Sequence, residues 1–308
     1  MKNNKVVVFG GSGFLGSHVS DALTDKGYNV LIFDEHQSKY LNDQQSFIKG
    51  NILDIEQVNE AVKGSKYVYN FAGLADINES KTNPLKTIKS NILGTTNILE
   101  SCRKNKVDRF IFASTIYVYS DLGSFYRSSK QSCELIIENF SEEYNLNYSI
   151  LRYGSLYGKR ANNFNFIRNA IVDALTTETI NRKGNGDEIR DYIHVKDAAK
   201  ASVEILNQNF KNAHLMIKGS QTMKVKDLLF MINEIMGNSI KINYLKNSYY
   251  EGHYQLTPYT FRPKVAEKYL LSTYHDLGQG LLDTIYDIYE ELYLKSPNMI
   301  KKKLKLDK

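Results

Sequence analysis

The chain has 308 residues, of which 42% are apolar and 24% charged, a composition that excludes collagen-like, disulfide-stapled and disordered classes and leaves room for two domains. Its net charge of +6 gathers at one end, since 295–308 holds six lysines and one aspartate; such a run is a solvated end rather than a basic stripe, and nucleic acid is not an expected partner. No apolar run approaches the ~20 residues of a membrane span and Met1–Lys5 leads directly into a strand-like segment, so a cytoplasmic protein with no membrane partner is expected.

Taken in order, β-branched or aromatic runs at Lys5–Phe9, Asn29–Phe33, Tyr67–Asn70, Arg109–Ala113 and Tyr148–Arg152 alternate with helical patterns such as Phe14–Asp25 and Leu85–Lys104. That rhythm predicts an α/β fold with a doubly wound parallel sheet, ligands lying beyond the carboxyl ends of the strands. After Arg152 the pattern loosens into Asn- and Gly-rich stretches, with a strand at Asp191–Val195 and helices near Lys196–Leu206 and Lys226–Met236. The expected organisation is a nucleotide-binding domain over 1–154, to which a strand and helix near 190–206 return, and a smaller α/β substrate domain over 155–308. Cys102 and Cys133, the two cysteines, both fall in helical patterns, which predicts buried thiols and no metal site.

The first strand ends in Gly10-Gly11-Ser12-Gly13-Phe14-Leu15-Gly16. Glycines at 10, 13 and 16 suit a tight turn, close approach of backbone amides to a pyrophosphate, and close helix–strand packing, with the helix N-terminus favouring the anion. Asp34 ends the second strand, where a carboxylate bonds the adenosine ribose hydroxyls and repels a 2′-phosphate; Glu35, His36 and Gln37 follow, with no arginine. NAD is therefore the expected cofactor.

Beyond the fifth strand come Ala113-Ser114-Thr115 and then Tyr126-Arg127-Ser128-Ser129-Lys130. Tyr126 and Lys130, at i and i+4, share a helix face. The ammonium of Lys130 and the oxidised nicotinamide would favour the phenolate of Tyr126, which then takes a hydroxyl proton while hydride leaves the same carbon for the nicotinamide; Thr115 bonds the reacting oxygen, and Lys130, beside Tyr126 at the cofactor, also holds the nicotinamide ribose.

With these motifs, Asn70-Phe71-Ala72-Gly73-Leu74, Asn91-Ile92-Leu93-Gly94-Thr95, Leu151-Arg152-Tyr153-Gly154-Ser155-Leu156-Tyr157-Gly158 and Arg190-Asp191-Tyr192-Ile193-His194-Val195, the sequence resembles the extended short-chain dehydrogenase/reductases that modify nucleotide sugars, over residues 5 to about 290. The resemblance implies that Asn51 and Ile52 border the adenine, that Ala72, Gly73, Asn91 and Ala113 line the cofactor cleft, and that Tyr153 and Ser155 lie near the nicotinamide. It places Thr115 and Tyr117 on the sugar and Arg190 and Arg262 on the diphosphate of a nucleoside-diphosphate sugar. It also implies a homodimer formed by the helices near Leu85–Lys104 and Tyr126–Tyr144.

Departures from the family pattern narrow the chemistry. Ile116-Tyr117 stands where 4,6-dehydratases carry Asp-Glu, no cysteine neighbours Thr115 as in 3,5-epimerases, and eleven positions separate Thr115 from Tyr126, fewer than in many members. Two fates stay open for a 4-keto hexose or heptose, re-reduction as the C4 epimer or release by a 4-dehydrogenase, with surface polysaccharide synthesis the expected setting. A 4-keto-sugar reductase and a non-catalytic dinucleotide sensor are the alternatives.

Overall fold

In the computed structural model, which describes residues 4–219 and 222–245, the first apolar run forms β1 (Lys5–Phe9), buried from Val6 to Phe9. Burial on both faces explains the absence of alternation, because a central parallel strand is covered by helices above and below. In order follow α1 (Phe14–Asp25), β2 (Asn29–Asp34), β3 (Gln45–Lys49), α2 (Ile55–Val62), β4 (Tyr67–Asn70), α3 (Ile77–Thr82) and α4 (Pro84–Thr87). A π-helical segment (Ile88–Leu93) joins α4 to α5 (Gly94–Lys104); β5 (Arg109–Thr115), a single 3-10 turn (Ile116–Tyr119), α6 (Ser124–Tyr144) and β6 (Tyr148–Tyr153) complete the first part of the chain.

The main sheet has seven strands. It is completed by β10 (Ala213–Ile217), in the order β3-β2-β1-β4-β5-β6-β10, and every pairing is parallel. This is the doubly wound Rossmann-type architecture that the strand–helix rhythm predicts. The order reverses between β1 and β4, and a ligand crevice opens at such a switch point.

Successive residues of each strand face opposite sides, so Val6, Val8, Ile32 and Tyr69 pack against α1 and α8 (Val195–Glu204) through Val19, Leu23, Ala198 and Val203. Val7, Phe9, Phe33, Val68 and Phe112 pack against α2, α5 and α6 through Val58, Ile98, Leu99, Cys133 and Ile137. Both cysteines are free and buried, and burial pushes the two thiols up.

The remaining elements are β7 (Ser155–Tyr157), α7 (Phe166–Thr177), β8 (Thr179–Lys183), β9 (Ile189–His194), β11 (Thr222–Lys224), α9 (Val225–Ile235) and β12 (Lys241–Leu245). They make a three-stranded sheet β11-β9-β7 and a parallel pair β12-β8; the strand expected near 190 to return to the main sheet is thus β9 of the small sheet, and the return is made by α8 and β10 instead. A separate apolar cluster of Ala170, Ala174, Ile180, Leu229 and Ile232 holds α7, β8 and α9 together. Among the described residues no helix is long and apolar enough to cross a membrane, and no group of His, Cys, Asp and Glu could hold a metal ion.

Candidate active site

A cleft of about 800 Å³ runs over the carboxyl ends of the central strands. Gly10 turns the chain out of β1 with φ +74°, and a Cβ there would lie 2.5 Å from Ala72 N and 2.7 Å from Phe71 C. The loop after β1 and the loop after β4 thus touch through bare backbone. A Cβ on Gly16 would strike the Gly10 carbonyl oxygen, whereas one on Gly13 would meet only that oxygen, at 3.2 Å.

Gly13 is the N-cap of α1 and gives no side-chain hydrogen bond to it, so no side-chain cap occupies the amides of the first turn, which are available to an anion. Ser12 Oγ, within the same loop, is buried with no hydrogen-bond partner. A pyrophosphate fits these donors. Asp34, at the end of β2, lines the same cleft; its Oδ2 accepts from Ser12 N at 3.0 Å, which holds the carboxylate at the glycine loop where a ribose diol would be bonded.

The other cofactor positions fall on the same walls, with Phe14, Leu15, Asn51, Ile52, Ala72, Gly73, Ala113, Tyr153 and Ser155 all lining the cleft. The Tyr153 hydroxyl is turned into the core, 2.6 Å from Ser202 Oγ. Asn91 differs from its expected place. It is 2% exposed and stands behind the wall: its Oδ1 accepts from Leu74 N at 2.7 Å, and its Nδ2 donates to Leu74 O at 3.1 Å and Ser129 Oγ at 2.9 Å. With its amide used in this way, Asn91 pins the Gly73–Leu74 turn, which itself lines the cleft.

At the far end of the cleft β5 delivers Ala113, Ser114 and Thr115, and the first turns of α6 deliver Tyr126 and Lys130. Thr115 and Tyr126 share a side-chain hydrogen bond, and the Tyr126 and Tyr117 rings meet edge to face with centroids 6.4 Å apart. The Lys130 ammonium donates to Ala113 O at 2.7 Å, with the Tyr126 ring centroid 5.9 Å away. In the protein without its cofactor, burial, only partly offset by the Thr115 hydrogen bond, pushes the Tyr126 phenol up to about 12. Burial also lowers Lys130, opposed by Cys133 and Glu134.

Arg190 lines the same cleft, 8% exposed, with Nη1 donating to Ile189 O at 3.0 Å. Arg262 lies outside the described residues. Sequence reasoning passed over Arg182, which lines the same region, pairs with Glu188 and lies 4.8 Å over the Phe166 ring. The signal available was its place across the Gly184–Gly186 turn from Arg190. It also passed over Asn162, whose Oδ1 is buried without a hydrogen-bond partner beside the cleft. His194 serves its strand end, its Nδ1 accepting from Lys196 N at 3.3 Å.

Comparison with known proteins agrees with this geometry. A UDP-N-acetylglucosamine 4-epimerase from Methanobrevibacter ruminantium, solved with UDP-N-acetylmuramic acid, is 30% identical with a TM-score of 0.77, over 85% of this chain and 90% of that one. A UDP-glucuronic acid 4-epimerase from Bacillus cereus, solved with UDP-glucuronic acid and NAD, is 25% identical with a TM-score of 0.76, over 94% of this chain and 100% of that one. A UDP-N-acetyl-α-D-glucosaminuronate decarboxylase from Bacillus cytotoxicus is 26% identical, over 91% of this chain and 96% of its own length. The model of the NAD dependent epimerase/dehydratase family matches residues 6–217, and the chain belongs to that family, with NAD as its cofactor.

Proposed function

We propose that the protein oxidises C4 of a UDP-linked sugar and, after the 4-keto sugar has turned over in the site, returns hydride to the opposite face of that carbon, as a nucleotide-sugar 4-epimerase. The observation that carries this reading is the bonded Thr115–Tyr126 pair at the end of the cleft that begins at the glycine loop. NAD, when bound, supplies the acceptor for the C4 hydride and a positive charge over the site. Tyr126 takes the C4 hydroxyl proton as its O–H bond forms and the C4 carbonyl develops, and Thr115 donates a hydrogen bond to the reacting oxygen. On return, Tyr126 gives the proton back.

Relatives named for epimerisation and for decarboxylation share a first step in this reading, since a C4 ketone lies β to a uronate carboxyl and activates its loss. Ile116-Tyr117 after Thr115 supplies no acid–base pair for eliminating water. The Asp34 carboxylate at the glycine loop disfavours the 2′-phosphate that a reductase using NADPH would bring.

A second reading, release of the 4-keto sugar by a 4-dehydrogenase, is favoured by the short connection in which four residues, 120–123, separate the 3-10 turn from α6. Incubation with NAD and a panel of UDP-, GDP-, dTDP- and CDP-sugars separates the two. A C4 epimer by NMR without net NADH supports the epimerase, NADH with a 4-keto product supports the dehydrogenase, and neither product refutes both. In this reading 1–154 bind NAD, 155–308 bind most of the sugar nucleotide, and the protein works as a cytoplasmic homodimer in surface polysaccharide synthesis. A monomer by light scattering would refute the dimer.

A further inference from the structure

Tyr126, Lys130 and Glu134 occupy one face of α6 at i, i+4 and i+8. Each meets one of the last three residues of β5. Tyr126 bonds Thr115, Lys130 donates to Ala113 O at 2.7 Å, and Ser114 Oγ, between them, donates to Glu134 Oε1 at 2.5 Å. Glu134 is 6% exposed, so its charge needs a partner.

That partner is Arg152 on β6, directly opposite Ser114 in the strand register. Its Nε donates to Glu134 Oε1 at 3.1 Å and its Nη2 to Oε2 at 2.6 Å, a two-pronged contact of the strong kind. The guanidinium also reaches the Tyr119 hydroxyl at the end of the 3-10 turn and lies 2.8 Å from His214 Nδ1 on β10, whose Nε2 is 2.8 Å from Glu138 Oε1. Burial raises the Glu134 carboxyl, and the hydrogen bonds of His214, Arg152 and Ser114 outweigh it and hold the group ionised.

Glu134 therefore acts on two basic side chains: it pairs with Arg152, and its charge also favours the Lys130 ammonium. The other titratable groups facing Lys130 are Tyr126 and Cys133, both on α6; β5 presents only the Ala113 carbonyl and the Phe112 ring. The geometry points to Glu134 as a positioning residue for proton transfer: one turn from Lys130 on α6 it supplies the negative charge that favours the ammonium, and through Ser114 and Arg152 it fixes the strand end that carries Thr115. An arginine does not give up its proton in a protein. If Glu134 lost its charge, Arg152 would stay a cation, and the buried Lys130 would lose a carboxylate that opposes its desolvation.

The inference rests on the proposed proton-transfer role only for its effect on turnover, so the test reads Lys130 directly. Protein labelled with 13C at lysine Cε is titrated by NMR without substrate, the Lys130 signal being assigned by its loss in Lys130→Met. In Glu134→Gln, which keeps the shape and most of the hydrogen bonds, Lys130 titrates lower by about one pH unit or more. Glu134→Leu combined with Arg152→Met, an apolar replacement of the whole pair that serves if Glu134→Gln does not fold, lowers Lys130 likewise. A Lys130 titration unmoved in these variants overturns the proposal, whatever happens to their melting temperatures. In turnover, the alkaline limb of the pH profile moves down with the NMR value. Shifted titrations in a protein that converts no nucleotide sugar would refute the proposed function and leave this inference standing.

Discussion

Tyr126→Phe deletes one oxygen and keeps the ring against Tyr117. In the protein alone burial pushes this phenol up to about 12, so forming the phenolate at pH 7.5 unaided costs roughly 6 kcal/mol at 1.36 kcal/mol per pH unit. That cost must be met in the ternary complex, by the positive charge brought with NAD and by Lys130. Turnover therefore rises with pH as the complexed phenol loses its proton, and the variant lacks this acidic limb. Removing the base lowers kcat by about 10²–10⁴-fold. The fold is spared, since the lost hydrogen bond is worth about 1 kcal/mol and Thr115 Oγ1 still accepts from Tyr117 N at 3.3 Å. The assay pairs kcat, measured by NMR of the sugar product, with NAD affinity by calorimetry. A variant that binds NAD normally and turns over within about tenfold of wild type would refute the assignment of Tyr126 as the proton acceptor.

The same raised phenol predicts a pH window for stability. Tyr126 favours the folded state below pH about 10 and loses that contribution as the pH climbs to about 12, so Tyr126→Phe flattens alkaline unfolding followed by circular dichroism. Asp34→Asn removes the charged acceptor at the ribose position and weakens NAD binding by roughly tenfold or more, while the penalty against NADP shrinks; calorimetry with both dinucleotides checks this. Gly10→Ala drives a methyl into the Phe71–Ala72 backbone, costs about 1–3 kcal/mol of stability and displaces the loop that meets pyrophosphate, so melting temperature and NAD affinity fall together. Asn91→Ala orphans Leu74 N and O and costs about 1–3 kcal/mol, read as a lower melting temperature and a weaker NAD complex.

The elements legible in the sequence are those whose signal is local. Lys5–Phe9, Phe14–Asp25 and Tyr67–Asn70 form where the pattern puts them because each is a buried run or a one-sided helix between turn residues. β3 shows no alternation, being an edge strand in which only Gln45 is buried, and β8 reads as polar because Arg182 is buried within it as half of an ion pair. Among the site residues, those in short motifs land on the cleft, since spacing within a loop or a helix turn fixes their direction. Asn91 misleads because its motif places the residue but not its side chain, whose partners lie 17 and 38 positions away. The Glu134–Arg152 pair spans 18 positions and two elements, a separation no local pattern encodes.

Asn91 sits in the π-helical segment that interrupts the run from Pro84 to Lys104. A regular α-helix turns about 100° per residue, and the wider π turn absorbs what amounts to one extra residue. Deleting any residue between Thr87 and Gly94 would make the helix more regular and, in the same stroke, swing Asn91 through about a quarter turn away from Leu74. This segment is thus a constraint on chain length rather than on composition: its side chains tolerate exchange more readily than its count of residues tolerates change, and drift in the family should leave insertions and deletions outside it.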